Sequence, residues 1–336
     1  GMQSNIHFMY KKTISSVLII LFLLVQVCSL NIFVPNGYAD VSALPVEYKE
    51  FWNTRLSELK SVQTGFEMGK PLNKGKIIGK DIWFRGYGNV RLHGYLAEPA
   101  EIKPNQKLPA VLLLHGYSDY GRPLWAERYA KMGFIAFAID VRGHGKSNED
   151  YNPGFPGLMV DNITDTKSYS LVGIILDAIR GIDFIETLIE ADKNRIYVSG
   201  SSMGGGSAMI VSAIDKRVRA VAAGVPFLNN IPESLKTADG GPYMEVKKYL
   251  RQYPKDKDKV WDTLKYVDAY NYAPYINRPV IVGAGLADSI CPPEGIKSTF
   301  ARISPGTKKE IYEVPNAGHV VLPGWHDKNK RWFSEN

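Results

Sequence analysis

Ser202 stands between two glycines in the run Gly200-Ser201-Ser202-Met203-Gly204. A serine hydroxyl attacks a carbonyl only when a base takes its proton. Gly-x-Ser-x-Gly spacing is how a chain holds such a serine at the tip of a strand-to-helix turn, a nucleophile elbow. The turn is tight, and glycine on both flanks removes the Cβ clash. The five residues alone are a weak sign, because Gly and Ser are common. The context strengthens it: an apolar strand, Arg195-Ile196-Tyr197-Val198, leads in, and a small-residue helix from about Gly204 to Ala213 leads out. In this layout the Met203 amide faces the space where a carbonyl oxygen turns into an oxyanion.

The hydroxyl needs a base, and the base needs an acid to orient it. In an elbow of this kind the order along the chain is serine, acid, histidine. Only His319 and His326 follow Ser202. His319 ends Asn316-Ala317-Gly318-His319, just beyond a predicted strand, whereas His326 lies in a more polar stretch. Both are candidates, and the position after a strand favours His319. The acid is expected on the loop after the preceding strand, where Gly283-Ala284-Gly285-Leu286-Ala287-Asp288 places Asp288. It would accept the second imidazole proton and stabilise the imidazolium. Asp262, Asp268 and Asp327 are the alternatives. Leu114-His115-Gly116-Tyr117 follows another buried strand. The Tyr117 N–H is the candidate for a second oxyanion donor, and His115 is expected to pin that loop. Gly145-Lys146-Ser147 imitates a phosphate loop, but that motif needs glycine where Asp140 stands, so a tight turn is expected.

These residues need a frame. Ile82–Phe84 and Val90–Leu96 read as antiparallel strands joined by a turn at Gly86 and Gly88. From there strands and helices alternate. Ala110–Leu114 and Phe134–Ile139 are apolar strands, with a helix near Leu124–Lys131 between them. Leu171–Ile189 is a helix whose Ile174, Ile175, Ala178, Ile179, Ile182 and Ile185 share one face. Ala220–Ala223, Pro279–Val282 and Glu310–Val314 are later strands. The alternation predicts an α/β fold with a mostly parallel central sheet flanked by helices. An N-terminal extension, about 39–72, carries one helix near Pro45–Ser61. Glu149–Thr166 is a Gly/Pro-rich excursion, and Pro226–Tyr272 reads as a helical insertion.

Residues 1–39 read as a signal peptide: Lys11-Lys12, an apolar run from Ile14 to Val27, then small residues at Gly37 and Ala39 before a cleavage point. Gly1 resembles a scar from a removed tag, and Met9 is an alternative start. An uncleaved anchor and a lipoprotein attached through Cys28 are the rival readings. Residues 40–336 suit one domain, in the secreted or cell-envelope space. The chain carries a formal charge of +7, two units of it from the leader lysines, and no basic block of the kind that binds nucleic acid. Lys255–Lys259 alternates in sign and reads as a solvated loop. Cys291 alone remains after cleavage, so no internal disulfide or cysteine zinc site is expected. Asn162-Ile163-Thr164 is a glycosylation sequon.

The chain resembles the acetyl xylan esterase and cephalosporin C deacetylase family of α/β-hydrolases. The likeness rests on His115-Gly116-Tyr117, Asp140-Val141-Arg142-Gly143, Tyr169 and Gly200-Ser201-Ser202-Met203-Gly204-Gly205. Val225-Pro226-Phe227-Leu228, Tyr266-Val267-Asp268-Ala269, Asp288-Ser289-Ile290-Cys291-Pro292-Pro293 and Gly318-His319 extend it. By position, the resemblance implies an α/β-hydrolase fold with a triad at Ser202, Asp288 and His319 and oxyanion amides at Tyr117 and Met203. It implies removal of acetyl groups from carbohydrate or similar alcohols, without metal or organic cofactor, and ring-like homo-oligomers such as hexamers. Three positions depart from the family. Met203 stands where Gln is usual, His144 where Arg-Gly-Gln ends, and Val320 where Glu follows the histidine. A broader carboxylesterase or lipase, an oligopeptidase-type serine peptidase and a catalytically silent binding module are the rival readings.

Overall fold

A computed structural model describes residues 41–336. The expected signal peptide, with Gly1, Met9, Cys28 and the cleavage point at Ala39, lies outside the described residues. No helix among those described is long and apolar enough to cross a membrane.

The chain opens with α1 (Val46–Ser61), then the short strands β1 (Glu67–Met68) and β2 (Leu72–Asn73). β3 (Ile77–Arg85) and β4 (Arg91–Pro99) form the predicted antiparallel pair. β5 (Leu108–Leu114), α2 (Pro123–Lys131), β6 (Ile135–Asp140), α3 (Ser170–Thr187), β7 (Ala191–Ser201), α4 (Met203–Ile214) and β8 (Val218–Gly224) alternate as read. The insertion holds α5 (Ile231–Thr237), α6 (Tyr243–Gln252), α7 (Lys257–Leu264) and α8 (Ala269–Tyr272). β9 (Val280–Gly285), α9 (Pro293–Arg302), β10 (Lys309–Val314) and α10 (Trp325–Glu335) follow.

All ten strands of the described residues join one sheet in the order β1-β3-β4-β6-β5-β7-β8-β9-β10, with β2 also on β3. From β6 to β10 every pairing is parallel. A parallel sheet buries both faces under crossover helices, and strand alternation divides the core accordingly. Ile196 and Val198 of β7 pack with α3 and α4 in one apolar cluster, while Tyr197 packs with Trp325, Trp332 and Phe333 of α10 in the other. α3 is buried along nearly its whole length, from Ser170 to Ile185, because it lies beneath α1 as well as on the sheet. The helix stops at Thr187, two residues before the predicted Ile189. The insertion is tied to the N-terminal extension where Trp52 Nε1 donates to Tyr272 Oη at 2.7 Å.

The helices α9 and α10 and the strands β1 and β2 escaped sequence reading. α10 is polar on its outer face and offers only a narrow apolar seam. β1 and β2 are two-residue strands whose side chains are exposed, so they carry no alternation to detect.

Candidate active site

The site lies at the carboxyl ends of the parallel strands. β7 runs into Ser202, whose backbone takes φ 54° and ψ −117° before α4 begins. That left-handed φ is costly for a residue with a side chain, and the turn is held by its own hydrogen bonds. Ser202 N–H donates to Gly224 O at 2.9 Å, and Ser202 O accepts from Phe227 N at 2.9 Å and Gly206 N at 3.1 Å. The flanking glycines are steric necessities. A Cβ on Gly200 would lie 2.1 Å from Gly204 O, and one on Gly204 would lie 2.2 Å from Leu114 O.

Three side chains from separate loops meet here. His319 Nε2 lies 3.0 Å from Ser202 Oγ. Its Nδ1 lies 2.8 Å from Asp288 Oδ2. Asp288 Oδ1 accepts from the amides of Ile290 at 2.9 Å and Cys291 at 2.8 Å, so both carboxylate oxygens are engaged. The Asp288 side chain is fully buried and that of His319 a quarter exposed. The two loops are stitched together: Leu286 N–H donates to Val314 O and Ala287 N–H to Ala317 O. β9 ends in Gly285, and a Cβ there would lie 2.6 Å from the carbonyls of both Ala317 and Gly318.

The other expected participants fall as follows. Tyr117 occupies a turn closed by Asp119 N–H to Gly116 O at 3.3 Å, with Ser118 at φ 57°. This turn adjoins the elbow, since a Cβ on Gly116 would lie 3.5 Å from Ser202 Cβ. Met203 is the first residue of α4. Neither the Tyr117 nor the Met203 amide donates a hydrogen bond within the described residues. A helix N-terminus also carries positive dipole. His115 pins its loop, with Nδ1 on Gly116 O at 2.7 Å and Nε2 accepting from Val141 N at 3.2 Å. His144 is buried beside it, and burial, then the neighbouring His115, pulls its pKa down to about 3.

The alternative acids and base lie elsewhere. Asp268 caps α8 and accepts from the amides of Asn230, Ile231 and Tyr270. Asp262 contacts Lys265. His326, beside Asp327 on α10, packs edge-on against Trp125. The Gly145-Lys146-Ser147 segment forms a tight turn in which Ser147 N–H donates to His144 O at 2.8 Å.

One residue at the site was missed. Cys291 Sγ lies 3.9 Å from Ser202 Oγ. The Cys-Pro-Pro run after Asp288 was the available signal. Asp288, Cys291 and His319 bring ligand-type atoms within 4.8 Å of one another. As a metal set they fit poorly. The Asp288 and His319 atoms are committed to hydrogen bonds, and burial raises the thiol pKa well above its ordinary value, keeping it protonated.

The profile of the acetyl xylan esterase (AXE1) family matches residues 29–336. The acetyl esterase Axe7A of Xylanibacter ruminicola is 26% identical over 279 residues, which cover 78% of this chain and 61% of that protein. The match thus spans less than two thirds of that relative's length. Among solved structures, the acetyl xylan esterase from Paenibacillus sp. R4 superposes with TM-score 0.81 at 28% identity, covering 87% of this chain and 95% of that one. Acetyl xylan esterase 1 from Thermoanaerobacterium sp. JW/SL YS485 gives 0.78 at 28% identity, with coverage of 89% and 96%.

Proposed function

We propose that this chain, which belongs to the acetyl xylan esterase family, is a serine esterase that removes acetyl groups from carbohydrate alcohols or similar small acetyl esters, cephalosporin-like esters included. The observation that carries the reading is the relay from Ser202 Oγ through His319 Nε2 at 3.0 Å to Asp288 at 2.8 Å. Ser202 Oγ attacks the acetyl carbon while His319 takes its proton. The carbonyl oxygen becomes an oxyanion facing the Tyr117 and Met203 amides, which have no other partner to surrender among the described residues. Collapse breaks the bond to the alcohol oxygen, which leaves with the proton from His319. Water, deprotonated by His319, then attacks acetyl-Ser202 and releases acetate. Asp288 holds the imidazole tautomer throughout and stabilises its charged form.

Residues 40–336 would act as one domain outside the cytoplasm, once the leader at 1–39 has been removed. The family likeness extends this to a homo-oligomer, up to a hexamer. The decisive experiment is a substrate panel: acetylated xylo-oligosaccharide, cephalosporin C, nitrophenyl esters of rising acyl length and a peptide amide, with a serine-directed phosphonate mapped by mass spectrometry. Deacetylation with label on Ser202 supports the reading. Amide hydrolysis without acetyl preference would replace it with a peptidase.

A further inference from the structure

We propose that Glu245, on α6 of the insertion, is a positioning residue for the oxyanion site, acting through the side chain of Tyr117. The inference rests on the reading of the Tyr117 N–H as an oxyanion donor. A donor of this kind works by being fixed before the charge develops, so whatever fixes Tyr117 bears on turnover.

The Tyr117 side chain is held at its tip and on its flanks. Its hydroxyl donates to Glu245 Oε1 at 2.6 Å and accepts from Met159 N at 3.2 Å. The ring meets Phe155 edge-on at 4.9 Å between centroids and His144 at 6.1 Å. Burial first, and then the Glu245 carboxylate, push the phenol pKa far above its ordinary value, so the hydroxyl remains a donor. The second oxygen of Glu245 accepts from Gly157 N at 2.8 Å. One carboxylate therefore joins three segments that are distant in sequence: the turn after β5, the excursion around Gly157, and α6.

Two observations separate this bond from ordinary packing. Glu245 makes no ion pair among the described residues, and its carboxylate oxygens accept from the Tyr117 hydroxyl and the Gly157 amide. A half-buried carboxylate with no cation is costly unless its oxygens accept hydrogen bonds, so the two contacts require each other. Beyond the turn that carries the donor, the chain is held by Gly121 N–H donating to Asp140 Oδ1 at 2.6 Å and by Arg122 pairing with Asp119 at 2.9 Å, while the segment around Tyr117 itself has few backbone bonds. Past Gly116 its backbone is closed by one long hydrogen bond, Asp119 N–H to Gly116 O at 3.3 Å, and Ser118 sits at a strained φ of 57°. The tyrosine side chain is the anchor that prevents this turn from relaxing away from the elbow.

The test is steady-state kinetics on nitrophenyl acetate with Tyr117→Phe, Glu245→Ala and the double variant. A misplacement on the order of 1 Å at a reacting centre costs about a hundredfold. Each single variant is therefore expected to lose roughly tenfold to a hundredfold in kcat, with KM changed less than about threefold. The double variant is expected to be no worse than the weaker single one. Phosphonylation of Ser202 should slow in parallel, because it also places an oxygen at the oxyanion site. The midpoint of the pH–rate profile should stay, since His319 and Asp288 are untouched. Glu245→Gln, which keeps one oxygen acceptor, should recover part of the loss. Tyr151→Phe, which cuts the Tyr151 hydroxyl–Asp161 bond within the same excursion without touching Glu245, is expected to keep wild-type kcat.

Tyr117→Phe removes a single oxygen, so it keeps the test open if Glu245→Ala melts early. A kcat within twofold of wild type in Tyr117→Phe, additive losses in the double variant, or an equal loss in Tyr151→Phe would each overturn the proposal. In those cases normal Ser202 labelling of the wild type leaves the esterase reading standing. A wild type that neither hydrolyses the ester nor takes the label overturns both.

Discussion

Cys291 meets Ser202 with its side chain and Asp288 with its backbone: Sγ lies 3.9 Å from Ser202 Oγ, and its N–H donates to Asp288 Oδ1 at 2.8 Å. The thiol is buried and kept neutral, so it does not compete as a nucleophile. Its position makes it a wall of the space beside Ser202, and substitutions there report on shape.

Acyl length tests that wall. An open apolar pocket gains about 0.8 kcal/mol per methylene, whereas overfilling a closed one costs about 1–3 kcal/mol. The acetyl ester is expected to be the best substrate and the octanoyl ester at least roughly tenfold worse, a difference of about 1.4 kcal/mol. Cys291→Ala is expected to keep the relay and raise the butyryl-to-acetyl ratio of kcat/KM about fourfold, the worth of one methylene. Activity that rises with chain length in the wild type would leave a general carboxylesterase instead.

Ser202→Ala should lower ester hydrolysis on the order of a million-fold. Ser201→Ala should stay close to wild type, because Ser201 still belongs to β7 and has no base in reach. Progress curves with nitrophenyl acetate read both. An essential Ser201 would mean that the elbow register is wrong.

Asp288→Asn should leave a folded protein with turnover lower by about four orders of magnitude, through the wrong imidazole tautomer. His326→Ala should retain turnover, since that ring packs on Trp125 rather than near Ser202. Single-turnover kinetics with circular dichroism as the folding control separate the two. Wild-type activity in Asp288→Asn would reassign the acid.

Asp268 is expected to affect stability rather than turnover. Burial pushes its carboxyl up to about 6, against the amides of Ile231, Tyr270 and Asn230 and the charge of Arg302. The folded state therefore holds this proton more tightly than the unfolded chain, whose carboxyl titrates near 3.8. The stability it contributes is complete below that value and lost as pH rises through about 6. Asp268→Asn removes this titration, so urea midpoints of wild type and variant should change their separation between roughly pH 4 and pH 7, the wild type gaining as pH falls. At neutral pH the variant should lose about 1–3 kcal/mol, because the amide cannot serve all three N–H groups. A separation that is constant across that range would refute the assignment.

The parts of the site that were readable in sequence are those where chemistry leaves no substitute. A Cβ on Gly200 or Gly204 would lie about 2 Å from a backbone oxygen, so glycine spelled the elbow out. Asp288 and His319 lie just past strands that the sequence predicts, and their place in the chain was enough to rank them above Asp268 and His326. The Tyr117–Glu245 contact was invisible, because 128 residues separate the partners and neither stands in a local pattern. Cys291 had a motif but no geometry. α10 was missed because its solvent face dominates its composition, and only Trp325, Asn329, Trp332 and Phe333 turn inward.

The dispersal of the relay also sets a timetable for synthesis. His319 lies 117 residues downstream of Ser202, and Asp288 lies between them. Under the proposed mechanism, a ribosome would complete the elbow well before it translates the groups that make it reactive. The nascent serine would then be chemically quiet, and hydrolytic power would be acquired only when β10 pairs with β9 and draws the two late loops together.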